Sequence, residues 1–286
     1  MSHQKVLVVG ASGYLGKFLI KELKRQGYWV RALSRHQQKI ASVEDDVDEM
    51  FLGEATKPET LAGLCVDIDI VISALGITRQ KDALTYRDVD YQANKNVLNA
   101  ALKDKVTQFM YISVLNAHQL RHLAIVQAKE QFVDELKQSG LHPIIIRPNG
   151  FFSDMTAFLN SAQKGRIYLF GQGQYRVNPI HGADLAKACV ERLGSNPPGE
   201  FDIGGPEILT QQEIALQAFE VLGKKPKIIY IPSWIASGII KAARRLTSVK
   251  TYGPIEFFLT VFTRDMIAPT YGAHTLKEYF KTSYYC

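Results

Sequence analysis

Short apolar runs alternate with amphipathic segments through the first half of the chain. Val6–Val9 is an uninterrupted apolar run, which is typical of a strand buried on both faces. It is followed by Leu15, Leu19 and Leu23, whose spacing of four residues predicts a helix with one buried face. The alternation continues to about residue 150 and predicts a doubly wound parallel sheet, because parallel neighbours need helical crossovers.

The remaining elements of this half follow from the same two patterns. Runs of apolar and β-branched residues predict strands, and apolar residues at helical spacing predict helices. The later strands are predicted at residues 28–33, 49–53, 68–73, 108–112 and 142–147, and the helices between them at 57–64, 91–103 and 119–138.

Beyond Pro148 the pattern loosens. Residues 149–152 are predicted as a loop, and the glycine-punctuated residues 165–173 as a hairpin-like segment. A Thr and a Glu three residues apart have the spacing of a capping box, which predicts a helix over residues 211–222. This change of pattern predicts a second, smaller lobe.

Length and composition agree with this organisation. The chain has 286 residues, of which 46% are hydrophobic and 22% charged, as in an ordinary globular protein. We therefore predict an α/β fold with a Rossmann-type doubly wound parallel sheet in residues 1–150. A smaller C-terminal substrate or partner lobe is predicted in residues 151–286, packed on the first domain with the chain crossing back.

Charge and cysteine content exclude several classes of protein. The net charge of +6 is spread along the chain, which favours anionic ligands but predicts no nucleic-acid partner. Cys65, Cys189 and Cys286 are too widely spaced to predict a disulfide framework or a metal site. No apolar run reaches the roughly 18–20 residues of a membrane span, and the first strand starts too early to leave room for a signal peptide. We expect a cytoplasmic protein.

Three glycines cross the turn between the first strand and the first helix. Gly10 permits the tight turn, Gly13 lets a pyrophosphate approach bare backbone, and Gly16 lets the helix pack closely on the strand. The N–H groups that open the helix then face the phosphates. A glycine-rich structural turn is the alternative. The predicted dinucleotide contacts in this turn are Gly10, Ser12, Gly13, Tyr14, Leu15 and Gly16.

The end of the second strand predicts the type of cofactor. Enzymes that use NAD usually place an acidic residue about 20 residues beyond the glycines, where it binds the ribose 2′-hydroxyl. Here that place is held by Ser34 and Arg35, whose hydroxyl and guanidinium suit a 2′-phosphate. We predict that NADP(H) is preferred and that NAD(H) is the second choice. Arg31 either assists or is merely solvated.

Small residues at other strand ends predict further cofactor contacts. Ala74, Leu75 and Gly76 follow the fourth strand, and ligands of such sheets bind outside the carboxyl ends of the strands. Their backbone would lie against a ribose, although a tight strand-to-loop turn explains the same residues. Ala55, after the third strand, is also predicted to contact the cofactor.

Seven segments of the chain share the motifs of one known family. They are Gly-Ala-Ser-Gly-Tyr-Leu-Gly (10–16), Val-Ile-Ser-Ala-Leu-Gly (71–76), Val-Asp-Tyr-Gln-Ala-Asn (89–94), Phe-Met-Tyr-Ile-Ser-Val (109–114), Ile-Ile-Arg-Pro (145–148) and residues 178–186 and 204–210. Together they resemble the atypical short-chain dehydrogenase/reductase superfamily, in its NmrA-like, NAD(P)H-binding branch. This branch includes reductases, redox-sensing regulators and assembly factors, so membership alone does not fix a reaction.

The resemblance implies a Rossmann domain with a C-terminal lobe over the nicotinamide end. We predict that Arg147, Pro148 and Asn149 shape the wall of the nicotinamide site and that Pro148 and Asn149 contact the cofactor. A plain charge at the end of the strand is the alternative for Arg147.

The superfamily's usual catalytic set is incomplete in this chain. That set is a Ser at the end of the fifth strand and a Tyr-x-x-x-Lys on the next helix. Ser113 and Lys129 match, and the resemblance implies that both are catalytic and contact the cofactor. Ile125 stands at the Tyr position, and no tyrosine lies between Tyr111 and Tyr168. Tyr-assisted carbonyl chemistry is therefore not expected.

Three outcomes follow from the missing tyrosine. Another acid could serve in hydride transfer: Lys129, if burial lowers its pKa, or one of His118 and His122. The acceptor could instead be an enone or a quinone, which depends less on a positioned acid. The chain could also bind NADPH without turnover, as a redox-sensing regulator or an assembly factor. We predict an NADPH-dependent reductase of an apolar acceptor (enone, quinone or carbonyl), with the non-catalytic protein as the alternative.

Residues 233–267 are rich in large apolar side chains, with Lys241, Arg244 and Arg245 among them. The most economical interpretation is a lobe that covers an apolar small-molecule substrate or a protein partner. The alternative is an amphipathic helix in peripheral contact with a membrane. We expect a monomer or a weak dimer.

Overall fold

The strands alternate with helices as the apolar pattern predicts. A computed structural model describes residues 4–78, 80, 84–194 and 198–285. Its strands are β1 (Lys5–Val9), β2 (Trp29–Ser34), β3 (Glu49–Leu52), β4 (Ile70–Ser73), β5 (Gln108–Ile112), β6 (His142–Pro148), β7 (Ile167–Phe170), β8 (Arg176–Val177), β9 (Gly199–Ile203), β10 (Leu209–Thr210) and β11 (Ile228–Ile231).

The main sheet has seven strands within the described residues, in the order β3-β2-β1-β4-β5-β6-β9. The five pairings from β3 through β6 are all parallel. The apolar run of β1, which lies between β2 and β4, is buried throughout Val6–Val9. The predicted α/β fold with a parallel sheet is confirmed.

The helices carry the crossovers between these strands. The first begins directly after Gly13, and its residues Leu15, Leu19 and Leu23 are buried as their spacing predicts. The helices are α1 (Tyr14–Arg25), α2 (Asn94–Lys103), α3 (Ala117–Leu120), α4 (Ala124–Gln138), α5 (Phe152–Gln163), α6 (Gly182–Val190), α7 (Gln211–Val221), α8 (Ser233–Leu246), α9 (Val249–Phe262) and α10 (Leu276–Tyr285). A π-helical segment, Arg87–Ala93, leads into α2, and 3₁₀ segments cover Gln37–Asp46 and Pro58–Leu61.

The helix predicted at 119–138 is interrupted. Leu123 has an extended backbone, with φ −83° and ψ 133°, and separates α3 from α4. Leu120 and Leu123 are both buried, so packing holds the break in place. The helix predicted at 57–64 is also shorter, because only Pro58–Leu61 is helical.

One prediction for the later part of the chain is largely confirmed and one is wrong. The loop predicted at 149–152 covers residues 149–151 and leads at once into α5, which begins at Phe152 and is capped where Asp154 accepts a hydrogen bond from the Phe151 N–H at 3.2 Å. The segment 165–173 is no hairpin, because β7 pairs in parallel with β11 from much later in the chain. Glycine spacing reports local turns and carries no information on such a distant partner.

The chain divides into two compact units. The first comprises the residues up to Arg147 together with Ala186–Phe201, and the second comprises Pro148–Leu185 with the residues from Asp202 onward. The second unit has its own core, formed by α5, α7, α10 and the strand β7. Its largest buried members include Phe152, Phe158, Phe219 and Phe280.

A buried charged cluster joins α4 to the sheet within the first unit. Arg147 donates from Nη1 and Nη2 to the Glu130 carboxylate at 2.7 and 2.8 Å, and from Nε to Glu200 at 2.7 Å. Ser113, directly after β5, donates its hydroxyl to Glu130 at 2.7 Å. Burial alone would raise the pKa of Glu130, but the hydrogen bonds from Arg147 and Ser113 hold this pKa below its usual value. Glu130 is therefore a carboxylate at neutral pH.

Replacing Glu130 with Gln should destabilise the fold. The substitution leaves Arg147 buried with only Glu200 as a charged partner, and we expect a loss of about 3 kcal/mol in the free energy of unfolding at pH 7. Urea denaturation measures this loss. Glu59→Gln is the matched control, because Glu59 is exposed and should change stability little.

The stability difference between the wild type and Glu130→Gln should depend on pH. The pKa of Glu130 is lower in the folded chain than in the unfolded chain, so its contribution is complete above the unfolded value of about 4.3 and is lost as the pH falls through the folded value. The stability difference between wild type and Glu130→Gln should therefore shrink on acidification. A difference that stays constant down to about pH 3.5 would contradict the charged cluster.

Candidate functional site

The glycines of the first turn are required by close backbone contacts. Gly10 has φ +83°, and a Cβ there would lie 3.0 Å from the Ala74 carbonyl. A Cβ at Gly16 would lie 2.1 Å from the Gly10 oxygen, so α1 can approach the end of β1 only with glycine at this position. The turn therefore has the tight geometry that a dinucleotide site needs.

The N-terminus of α1 is suited to an anion. Its N-cap residue, Gly13, has no side chain to bind the N–H groups of the first turn, and no acidic residue occurs in that turn. Ser12 is exposed at this end, whereas Leu15 is buried and Tyr14 packs edge-on against Phe18. Gly13 and Ser12 could thus hold a phosphate directly, and Leu15 supports the helix from below.

The end of β2 carries one exposed cation. Arg35 is exposed and forms no ion pair with any residue that the structure describes. Ser34 is buried, with its hydroxyl donating to the His36 carbonyl at 2.9 Å. Both interpretations of Arg31 are wrong: its guanidinium is buried, forms an ion pair with Glu49 at 2.7 Å and donates to main-chain carbonyls. Of Arg31, Ser34 and Arg35, the exposed Arg35 is therefore the residue best placed to bind a 2′-phosphate.

The other predicted backbone contacts lie along the same edge of the sheet. Ala74 follows β4 and donates its N–H to the Val9 carbonyl at 3.0 Å, and the Leu75 N–H donates to the Ser73 hydroxyl at 3.3 Å. The Ala55 carbonyl accepts a hydrogen bond from Asn96 at 2.9 Å. These contacts fix the loop after β4 beside the glycine turn and tie the loop after β3 to α2.

Gly76 lies directly over a buried ion pair. Lys129 of α4 places Nζ 3.0 Å from Asp90 Oδ1, and it donates to the Tyr111 hydroxyl and the Ile112 carbonyl at 3.5 Å. A Cβ at Gly76 would lie 2.6 Å from Asp90 Oδ1 and 2.8 Å from Lys129 Nζ. The absence of a side chain at Gly76 therefore lets the loop backbone approach the ammonium group.

This ion pair determines the protonation state of Lys129. Burial alone would lower the pKa of Lys129, but the oxygens of Tyr111 and Asp90 outweigh burial and raise this pKa above its usual value. Lys129 is an ammonium at neutral pH and a weak proton donor. The hypothesis that burial turns Lys129 into an acid near neutrality is wrong.

The position of the usual tyrosine holds an aliphatic residue, and the use of His118 or His122 as the acid stays a prediction. Ile125 is buried and offers only an aliphatic side chain. His118 and His122 are exposed, and His118 Nε2 lies 3.9 Å from a Glu200 oxygen. The Ser113 hydroxyl is committed to Glu130, so we assign Ser113 to the charged cluster and leave it out of the proposed chemistry.

Pro148 and Asn149 belong to the second unit. The Asn149 amide donates to Asn178 Oδ1 and to the Met266 carbonyl, both at 2.7 Å, and its oxygen accepts from the Gly150 N–H at 2.8 Å. Its side chain is thus used in holding this unit together. The contact of Pro148 and Asn149 with a cofactor stays a prediction.

Sequence reasoning missed Asp90 and Tyr111. Asp90 is fully buried, and Asn94 donates to its main-chain carbonyl at 3.1 Å while accepting a hydrogen bond from Ser73. A signal was present, because Asp90 and Asn94 interrupt the apolar face of a helix at i and i+4. Two polar residues at that spacing on a buried face need polar partners. Lys129 is the charged partner of Asp90.

Several other features bear on the chemistry. Cys65 and Cys189 are buried free thiols, and burial raises the pKa of each to about 12; Cys286 lies outside the described residues. Over the described ranges no group of three or more His, Cys, Asp or Glu could hold a metal ion. In the same part of the chain, no helix combines the length and apolar character needed to cross a bilayer.

Comparison with known proteins agrees with this geometry. The profile of a family described as NAD(P)H-binding matches residues 10–196. Divinyl chlorophyllide a 8-vinyl-reductase of Cucumis sativus is 28% identical over 96% of this chain and 75% of its own. Photosystem II assembly factor Ycf39 of Guillardia theta is 28% identical over 79% of this chain and 73% of its own. The structure of AtPrR2 with NADP+ and (+)pinoresinol has the same fold, with a TM-score of 0.79 at 15% identity over 99% of each chain.

The glycine turn, the bare helix N-terminus and the Gly76 loop lie inside the matched range, and the sheet has the order that such proteins share. The chain belongs to the NAD(P)H-binding, NmrA-like branch of the atypical short-chain dehydrogenases/reductases.

Proposed function

We propose that this protein is an NADPH-dependent reductase that reduces a conjugated carbon–carbon double bond of a large apolar acceptor. The observation that carries the proposal is the buried Asp90–Lys129 pair under Gly76, combined with Ile125 at the position of the usual proton donor. The site offers a fixed positive charge and no strong acid.

A fixed cation without an acid favours some acceptors over others. Reduction of an isolated carbonyl leaves an alkoxide that needs a proton at once from a group of matched pKa. Lys129 meets that need poorly, because its pKa is raised. Its positive charge instead stabilises negative charge that develops on a nearby acceptor. A conjugated acceptor spreads that charge over many atoms and can take its proton from water.

The residues of the first unit divide the work of holding the cofactor. Gly10, Gly13 and Gly16 would admit the pyrophosphate, and Arg35 would pair with the 2′-phosphate. Gly76 would let the nicotinamide ribose approach Lys129. When bound, NADPH supplies the hydride, and solvent supplies the proton that completes reduction of the double bond.

The relatives support this acceptor class. The name of the Cucumis sativus protein states reduction of a vinyl group on a chlorophyllide, which is a large, conjugated, mostly apolar molecule. The similarity extends over 96% of this chain, so it includes the apolar helices of the second unit. We further propose a cytoplasmic, reducing environment, which the free thiols of Cys65 and Cys189 support. We propose in addition that the protein is a monomer or a weak dimer.

A second function has its own support. The Guillardia theta relative is named as an assembly factor. In this chain Ile125 stands in place of the usual tyrosine, and the hydroxyl of the usual serine, Ser113, is bonded to Glu130. A protein that binds NADPH tightly and turns nothing over would fit these observations. Turnover distinguishes the two functions.

The cofactor preference can be tested by calorimetric titration with NADPH and NADH. We expect NADPH to bind more tightly, and Arg35→Ala to weaken NADPH about ten- to a hundredfold while leaving NADH unchanged, because only NADPH carries the 2′-phosphate. Arg25→Ala is the matched control, since Arg25 is exposed and pairs with Glu22 on α1. Equal affinities for both cofactors in the wild type would exclude the NADP preference.

Turnover can be tested by following NADPH oxidation with a divinyl chlorophyllide, a simple enone, a quinone and a simple ketone. We expect the conjugated acceptors to react and the ketone to fail. Lys129→Met should lower kcat by about 10²–10³-fold by removing the ammonium that stabilises developing charge. Because Lys129 stays charged, kcat should not fall between about pH 7 and 9 in the wild type.

Lys129→Met also leaves Asp90 buried without its cation, so a second variant is needed. Asp90→Asn combined with Lys129→Met removes both charges and should fold, yet remain as slow as the single variant. Lys95→Met is the control, because Lys95 pairs with Glu135 nearer the surface. If the protein binds NADPH but none of the acceptors causes NADPH oxidation, the result would support the assembly-factor function over the reductase.

A further inference from the structure

Helix α8 of the second unit presents an unusual set of exposed apolar side chains. Of its residues, only Ala236 is buried. Trp234 is 74% exposed and Leu246, at the other end, is 79% exposed. These are the two most exposed large hydrophobic side chains among the residues that the structure describes. The helix is therefore exposed to solvent along its whole length.

Helical geometry separates a packed side of α8 from an exposed apolar stripe. The helix packs on α9. With successive residues turned by about 100°, Ile240 and Ala243 point to the same side of α8 as the buried Ala236. The remaining apolar residues share a neighbouring stripe that runs the length of the helix and is exposed or half-exposed. This stripe, the α8 face, consists of Trp234, Ile235, Gly238, Ile239, Ala242 and Leu246.

Positive charge lies along one edge of the α8 face. Lys241 and Arg245 fall on the same side of the helix as Trp234, and Lys250 follows shortly after the helix ends. None of the three forms an ion pair with a described residue, whereas Arg244 points elsewhere and pairs with the buried Glu256 of α9. Residues 233–262 contain four basic side chains and a single acidic one. The exposed side of α8 is therefore cationic.

We propose that the α8 face lies on an anionic lipid surface, with the helix parallel to the membrane plane. Trp234 would sit at the headgroup level, the aliphatic residues would enter the acyl boundary, and Lys241 and Arg245 would reach lipid phosphates. The charges favour an anionic lipid surface as the occupant, because Lys241 and Arg245 lie beside Trp234 along one edge of an apolar stripe, which is the arrangement of helices that lie in a membrane interface. The proposal does not depend on turnover, so it can fail or stand separately from the proposed reductase.

Vesicle flotation of the full chain tests the proposal directly. We expect binding to phosphatidylcholine vesicles that contain about 30 mol% phosphatidylglycerol and no binding to phosphatidylcholine alone. Binding should weaken steeply from about 0.1 M to about 0.5 M salt, because the attraction between Lys or Arg and lipid phosphate is screened.

Tryptophan fluorescence reports whether α8 itself makes the contact. The chain has two tryptophans, Trp29 and Trp234, so Trp29→Phe leaves Trp234 as the single emitter. Emission from Trp234 should shift to the blue with the anionic vesicles, because its indole leaves water. Unchanged emission in the presence of bound vesicles would place the contact elsewhere and overturn the proposal.

Paired variants separate the α8 face from general surface effects. Trp234→Ala with Leu246→Ala should weaken vesicle binding at least about tenfold, whereas Leu52→Ala with Val66→Ala, two exposed apolar residues of the first unit, should not. Lys241→Glu with Arg245→Glu should weaken binding about fivefold or more per residue. Lys21→Glu with Lys103→Glu makes the same change in net charge at exposed positions of the first unit and should have a smaller effect.

Folding and self-association are checked on the same samples. All these positions are exposed, so the variants should keep the wild-type unfolding midpoint and NADPH affinity. Absence of binding to anionic vesicles, or undiminished binding by both α8 variants, would overturn the proposal. So would a dimer that Trp234→Ala with Leu246→Ala dissociates, because a second copy would then cover the face.

Discussion

The contact between Gly16 and the Gly10 carbonyl is the constraint on which the cofactor edge depends. It brings the first turn of α1 against the end of β1, while Gly10 itself lies against the Ala74 carbonyl after β4. Three elements therefore meet with no side chain between them. A Cβ at either glycine would force α1 or the β4 loop outward, and the N–H groups of α1 would lose their position. The ability to hold a phosphate thus depends on the absence of a Cβ at Gly10 and Gly16.

Two neighbouring residues of α4 fix charged groups near the same edge of the sheet. Lys129 and Glu130 differ by one helical step, so they point about 100° apart and enter different surroundings. Glu130 binds Arg147 and Ser113, which joins α4 to the ends of β5 and β6. Lys129 binds Asp90 under Gly76. Because the first pair holds α4 in place, the second keeps its cation at a fixed distance from the loop where a cofactor would lie.

The sequence predicts the parallel sheet well, because buried parallel strands such as Val6–Val9 are continuous apolar runs and the glycine turn is local in the chain. It fails where partners are distant. The pairing of β7 with β11 cannot be inferred from residues 165–173, whereas the buried Phe152, Met155 and Leu159 of α5 do have helical spacing in the sequence. At the site, Lys129 was found by its position, whereas Asp90 was missed because it lies on another element. The sign of the Lys129 pKa shift depends on that partner, so the sequence alone could not decide whether burial lowers this pKa.

The loss of the tyrosine can itself act as a selectivity device. A reductase with a strong positioned acid accepts many carbonyls, because the enzyme supplies the proton that each product needs. Here Ile125 stands in place of that acid and Lys129 is permanently charged, so no proton from this position neutralises the product. The acceptor itself would then have to delocalise the negative charge that hydride transfer leaves on it. In the proposed reductase, acceptors that delocalise charge themselves, as extended conjugated systems do, would be reduced faster than isolated carbonyls. On this argument a buried aliphatic side chain narrows the range of substrates without touching any of them.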